Sequence, residues 1–161
     1  MSLGFVIGEA MPTLVTAQTS RSLPIGEYVI IDSAEGKIIG LAEKSVVSSA
    51  ALDDVNNFDE ALESIEVAEI NKRDKSYTAS IRILGFLESL KKGKAILPAV
   101  PPVPGAPIMQ ATKDDLGQIF GPENKEWIAI GNLLRNPEID SMINLNKIVS
   151  RHVGILAMTG M

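Results

Sequence analysis

The chain contains no cysteine. That removes disulfide staples, thiolate nucleophiles and cysteine-ligated zinc, and it fits a cytoplasmic setting. Aromatic residues are scarce at 4 %, so any core must be built from Ile, Val, Leu and Ala. Basic charge is in deficit: the formal net charge is −5 and the isoelectric point about 4.9. A primary clamp on the DNA backbone needs a basic face that releases counterions, so an acidic chain is poorly suited to it, a local patch apart. Long apolar runs are also missing. The stretch Leu3–Ile7 is broken by Glu9 and is too short for a signal segment, and no later run approaches a membrane span. A single histidine, His152, leaves no histidine cluster for a metal.

What is present is enough aliphatic material for a core. Hydrophobic residues make up 45 % of 161, a length at which a domain buries about two-thirds of its unfolded surface. The first half reads as β-structure, with Val- and Ile-rich runs at Gly4–Gly8, Thr13–Gln18, Glu27–Asp32 and Lys37–Val47. Their close spacing between turn residues suggests a sandwich or barrel. Pro24-Ile25-Gly26 forms one turn, and Asp32-Ser33-Ala34-Glu35-Gly36 a hairpin loop in which Gly36 can take positive φ. Tyr77–Leu87 alternates, with Ala79, Ile81 and Ile83 on one face and Thr78, Ser80 and Arg82 on the other. Trp127–Leu134 and Ser141–Leu145 are further strands.

Helical spacing interrupts this pattern twice. From Asn57 to Asn71 the apolar positions are Phe58, Ala61, Leu62, Ile65, Ala68 and Ile70, and Asn57 with Glu60 resembles a capping box. Asp59, Glu60, Glu63, Glu66 and Glu69 cover the other face, either as a solvated surface or as a docking one. A second, short helix is expected near 111–121, with Thr112 and Asp115 at its start and Gly121 at its stop. The carboxylate pairs Asp53-Asp54 and Asp114-Asp115 read as helix-capping groups rather than metal ligands. Lys91, Lys92 and Lys94 fall in a turn. Pro98–Pro107, with five prolines among them, is expected to be a stiff connector along an edge.

The last residues carry the only chemistry in view. Val149–Ala157 reads as a strand that is apolar on both faces from Val153 onward, like one in a covered parallel sheet. It runs into Ala157, Met158, Thr159, Gly160 and Met161, the first half of a phosphate-binding loop. An apolar strand followed by Thr-Gly also arises by chance. The lysine that would reach the phosphates and the hydroxyl that would hold magnesium are not among these residues, so the chain by itself is expected to hydrolyse no ATP and to hold no cofactor. Arg151 and His152 precede the strand. They read either as structural hydrogen-bonders or as contacts to a nucleotide or neighbouring subunit. No nucleophile, base or metal cluster converges elsewhere.

The order of several short runs resembles that in the N-terminal part of HerA-type DNA translocases of the FtsK/HerA superfamily. They are Gly4-Phe5-Val6-Ile7-Gly8-Glu9-Ala10, Ile25-Gly26-Glu27-Tyr28-Val29, Lys37-Ile38-Ile39-Gly40, Pro101-Pro102-Val103-Pro104-Gly105, Ile130-Gly131-Asn132-Leu133-Leu134 and Leu145 through Gly160. The resemblance implies a mainly β fold: a small antiparallel HAS-type β-barrel over 1–146, with a helical insertion at about 53–75, a short helix and a proline-rich connector. Residues 147–161 would then be the first strand and partial Walker A loop of an ATPase domain cut short. It further implies an archaeal ATP- and magnesium-dependent hexamer that acts on double-stranded DNA through a core outside this chain, in end resection with a NurA-type nuclease that docks on the barrel. Ala157 stands where many such loops have their first glycine, and Met161 occupies a position that is often small. The alternative from another class is the ring barrel of a rotary or secretion-type ATPase with no DNA role.

Overall fold

A computed structural model of the chain describes residues 2–70, 75–121 and 126–149. It divides into two compact units, Met1–Ala111 and Thr112–Met161.

The first unit is a closed antiparallel barrel. Its strands are β1 (Gly4–Ala10), β2 (Leu14–Thr19), β3 (Tyr28–Ser33), β4 (Gly36–Ser49), β5 (Lys75–Phe86) and β6 (Pro107–Gln110). Their order around the barrel is β1-β2-β5-β4-β3-β6, and β6 bonds both β3 and β1 to close it. The mainly β barrel read from the sequence is therefore observed, with a helical insertion, α1 (Phe58–Ile70), between β4 and β5.

The core is aliphatic, as the lack of aromatics requires. Val6, Val15, Ala17, Leu23, Val29, Ile31, Ile38, Ala42, Ala79, Ile81, Ile83, Ala106 and Ile108 form one buried cluster, against which Phe86 packs from the side. In β5 the buried residues are Ala79, Ile81, Ile83 and Gly85, the first three being the face that alternation assigns to the interior, while Arg82 is exposed. The β3–β4 hairpin turns on Ala34-Glu35, with Ser33 opposite Gly36 at φ 134°. Pro24 to Glu27 forms the second expected turn, the Glu27 amide donating to the Pro24 carbonyl.

Three features depart from the sequence expectation. Pro107, assigned to the connector, already belongs to β6, a strand with too few residues to show a period. A proline is tolerated there because it is the first residue of the strand. The end of the expected strand Tyr77–Leu87 turns at Leu87 into a short helix, α2 (Leu87–Lys91), which buries Leu87 and contains Lys91, placed by the sequence in a turn. The β4–β5 pairing is also irregular, with register shifts at Ile39/Gly40 and at Ala42/Lys44, the second of which leaves Glu43 as an extra residue.

The second unit contains α3 (Lys113–Phe120), the hairpin of β7 (Trp127–Leu133) and β8 (Asn136–Asn144), and α4 (Leu145–Val149). α3 starts as expected: Thr112 Oγ1 accepts the Asp115 amide at 3.1 Å and donates to the Asp115 carboxylate at 2.6 Å. β8 begins five residues before the expected Ser141, across a segment that Pro137, Glu138 and Asp140 disguised. It ends at Asn144, whose Oδ1 accepts the Lys147 amide at 2.9 Å and caps α4. Leu145 and Val149, both assigned to strands by the sequence, are therefore helical. This Asn cap outweighs the apolar run. The remainder of the expected terminal strand lies outside the described residues.

A Cβ on Gly4 would lie 2.1 Å from the Gln18 carbonyl oxygen, in the backbone of the neighbouring strand. Gly4→Ala should therefore destabilise the barrel by about 2–3 kcal/mol through forced strand separation. Gly117 in α3 faces open space, so Gly117→Ala should stabilise its helix by about 0.5–1 kcal/mol. Hydrogen exchange resolved by unit would read both, and an unchanged barrel in Gly4→Ala would refute the close-approach argument.

Candidate functional site

The half-loop residues Ala157, Met158, Thr159, Gly160 and Met161 lie outside the described residues, as do Arg151 and His152. The other charged groups singled out in the sequence have ordinary structural positions. Asp114 and Asp115 occupy the first turn of α3. Asp53 and Asp54 do not cap a helix start. Asp53 ends a 3₁₀ turn, Ala50–Leu52, and three residues separate Asp54 from α1, so the cap falls to Asn57. Asn57 Oδ1 accepts the Glu60 amide at 2.9 Å, and the Glu60 carboxylate accepts the Asn56 amide at 3.0 Å. This is the capping box that the Asn57–Glu60 spacing predicts, shifted by one residue on its return bond. Among the described residues, no three His, Asp or Glu side chains converge as metal ligands. None of the described helices is long and apolar enough to cross a membrane.

The surfaces that could receive a partner are more distinctive. No residue of α1 is buried, and its first turn carries Asp59 and Glu60. Only Ala61, Ser64 and Ala68 are half-covered. Phe58, Leu62 and Ile65 are exposed at 76, 49 and 43 %, although their spacing is that of a core-facing stripe. The apolar pattern correctly gave the helix, but not a buried face. In the second unit β7 is exposed along most of its length, including Ile128 and Ile130.

Ion pairs tie the structural elements locally. Glu27, buried at the start of the barrel's third strand, takes a hydrogen bond from Arg21 at 3.0 Å and so anchors the β2–β3 connection. Arg82 pairs with Glu43, the extra residue of the bulge. That hydrogen bond, and then the carboxylate charge, raise the Arg82 pKa. Burial raises that of the Tyr28 hydroxyl. In the second unit Lys113 Nζ lies 2.5 Å from Glu138 and links α3 to β8. The hydrogen bond from Lys113 is the main reason that the Glu138 carboxyl titrates below its ordinary value.

Comparison with known proteins accounts for these units together. Residues 128–161 match the family described as "Helicase HerA, central domain", a span that opens inside β7. A probable helicase of Methanocaldococcus jannaschii is 35 % identical over 99 % of this chain and 30 % of its own length. The DNA double-strand break repair helicase HerA of Sulfolobus acidocaldarius is 33 % identical over the same shares. The chain is thus similar to HerA helicases along nearly its whole length. The HerA of Pyrococcus furiosus adds 30 % identity over 98 % of this chain and 28 % of that protein. The chain thus spans about 30 % of the length of the curated relatives that it matches.

The lowered Glu138 value has a testable sign. Its folded-state pKa is depressed, so the contribution of the pair is present above the pH at which a free glutamate titrates and is lost as pH falls through the lowered value. Lys113→Ala should move the Glu138 carboxyl titration upward, toward the ordinary range, in a side-chain NMR titration. An unmoved midpoint would remove Lys113 as the cause.

Proposed function

We propose that this chain is the front part of a HerA-type DNA translocase, a hexameric ATP- and magnesium-dependent helicase acting in the resection of DNA double-strand breaks. The barrel serves ring assembly and docks a NurA-type nuclease, while duplex DNA passes through a core supplied by further sequence. The observation that carries this reading is continuity: similarity to proteins named as HerA repair helicases covers 98–99 % of the chain, through the barrel unit as well as the span matched to the HerA central domain.

The barrel supports the assembly half of this proposal. A closed barrel exposes no unpaired strand edge, so it can sit in a ring without pairing strands promiscuously. The acidic balance of the chain favours a protein partner over a phosphate backbone for this part of the molecule. In such a translocase Ala157 to Met161 form the front half of the nucleotide loop. Thr159 and Gly160 shape its backbone, and a Gly-Lys-Ser/Thr continuation supplies the charge. Arg151 and His152 then lie just before the nucleotide-binding strand, where they contact nucleotide or the neighbouring subunit.

The full-length protein should read Gly-Lys-Ser/Thr directly after Gly160-Met161 or in register with it. It should sediment as a hexamer and hydrolyse ATP faster with double-stranded DNA. A cognate NurA-type nuclease should co-purify with it. A full-length protein whose ATPase ignores DNA and which retains no nuclease in a pulldown would refute the proposal.

A further inference from the structure

We infer that α1 is the part of the barrel unit that inserts into the partner protein, as an acidic-flanked apolar ridge fitting a groove with an aliphatic floor and a rim of Arg and Lys. This rests on the docking role proposed above and assigns it to a particular element. The first observation is the ridge itself. Phe58, Leu62 and Ile65 stand at i, i+4 and i+7 on a helix, the spacing of anchors in helix-in-groove recognition, and all three are exposed. A two-turn aromatic-aliphatic stripe left in water costs free energy unless something covers it.

The second observation is charge. Between Phe58 and Ile70 the helix holds Asp59, Glu60, Glu63, Glu66 and Glu69 and no basic residue. Glu66 and Glu69 follow Leu62 and Ile65 by four residues, so they flank the ridge directly. A partner surface must therefore be apolar at its centre and basic at its rim, since like charge beside the groove would repel this helix. The third observation is a cleft of about 260 Å³ between α1 and the preceding turn, lined by Ala51, Asp54, Val55, Glu60, Glu63 and Ser64. Its walls combine carboxylates with short apolar side chains, a lining suited to the aliphatic stem and charged head of an Arg or Lys from the same partner. The cleft and the ridge lie on different sides of one helix, as expected if the partner wraps around it.

The test uses the full-length protein and the purified NurA-type nuclease as probe. Binding is measured for wild type, for Phe58→Ser/Leu62→Ser/Ile65→Ser, and for Glu66→Lys/Glu69→Lys, at low and high salt. Both variants should weaken binding by about tenfold or more, with circular dichroism and hexamer mass unchanged because the altered side chains are exposed. Wild-type affinity should fall as salt rises, and less steeply in the charge-reversed variant. Should the triple variant fold poorly, the charge reversal alone still decides the point. Wild-type affinity in both variants would overturn the assignment of α1 while leaving the docking function standing. A wild-type protein that does not bind the nuclease would overturn the docking function and this assignment with it. Loss of the hexamer in the ridge variant would make a second copy the occupant and overturn the inference as well.

Discussion

The barrel depends on four residues. β6, Pro107 to Gln110, bonds to β1 on one side and β3 on the other, and without it the first unit would be an open five-stranded sheet with two exposed edges. The strand can be this short because closure asks little of its side chains beyond Ile108, which is fully buried. What precedes it sets its position. Val103 to Ala106 make a turn around Pro104-Gly105, and the amides of Gly105 and Val6 exchange bonds with the carbonyls of Val6 and Ala106. The prolines limit the freedom of the approach, so less entropy is lost when the last strand docks.

Closure also explains where the insertion lies. β4 and β5 are the longest strands, with 14 and 12 residues, and their pairing runs from Ile38–Phe86 to Ser49–Lys75. At the end of this ribbon the chain leaves the sheet to form the 3₁₀ turn and α1, then returns into β5. A helix inserted there need not contribute to the core, because the barrel interior is already filled by aliphatic side chains from the strands. α1 is thus free to keep an apolar stripe that a core helix would bury. The exposed ridge and the self-sufficient barrel are two consequences of one topology.

The electrostatics follow the same division. Among the described residues, buried charge is confined to Glu27, which has Arg21 as its partner and fixes a connection within the barrel. The remaining described ion pairs lie at the surface and contribute little to stability individually. They do mark local architecture: Arg82 reaches the bulge residue Glu43, and Lys113 reaches across from α3 to β8. The concentration of acid on α1 is therefore a surface property, available for recognition at no cost to the core.

Much of this was legible before any coordinates. The absence of aromatics required an aliphatic core, alternation in Tyr77–Leu87 gave the buried face, and the Asn57–Glu60 and Thr112–Asp115 spacings gave both caps, because each is a local effect within one or two turns of chain. The ordered motifs likewise pointed to the HerA relatives. Sequence did not reveal β6, since four residues beginning with proline carry no period, nor α2, nor the start of β8 behind Pro137. It placed Leu145 in a strand because an apolar run has no direction of its own, whereas the Asn144 cap turns it into a helix. Most of all, it gave Phe58, Leu62 and Ile65 the spacing of a core stripe. Periodicity states which residues share a face; only the closed barrel, full without them, decided that this face looks outward.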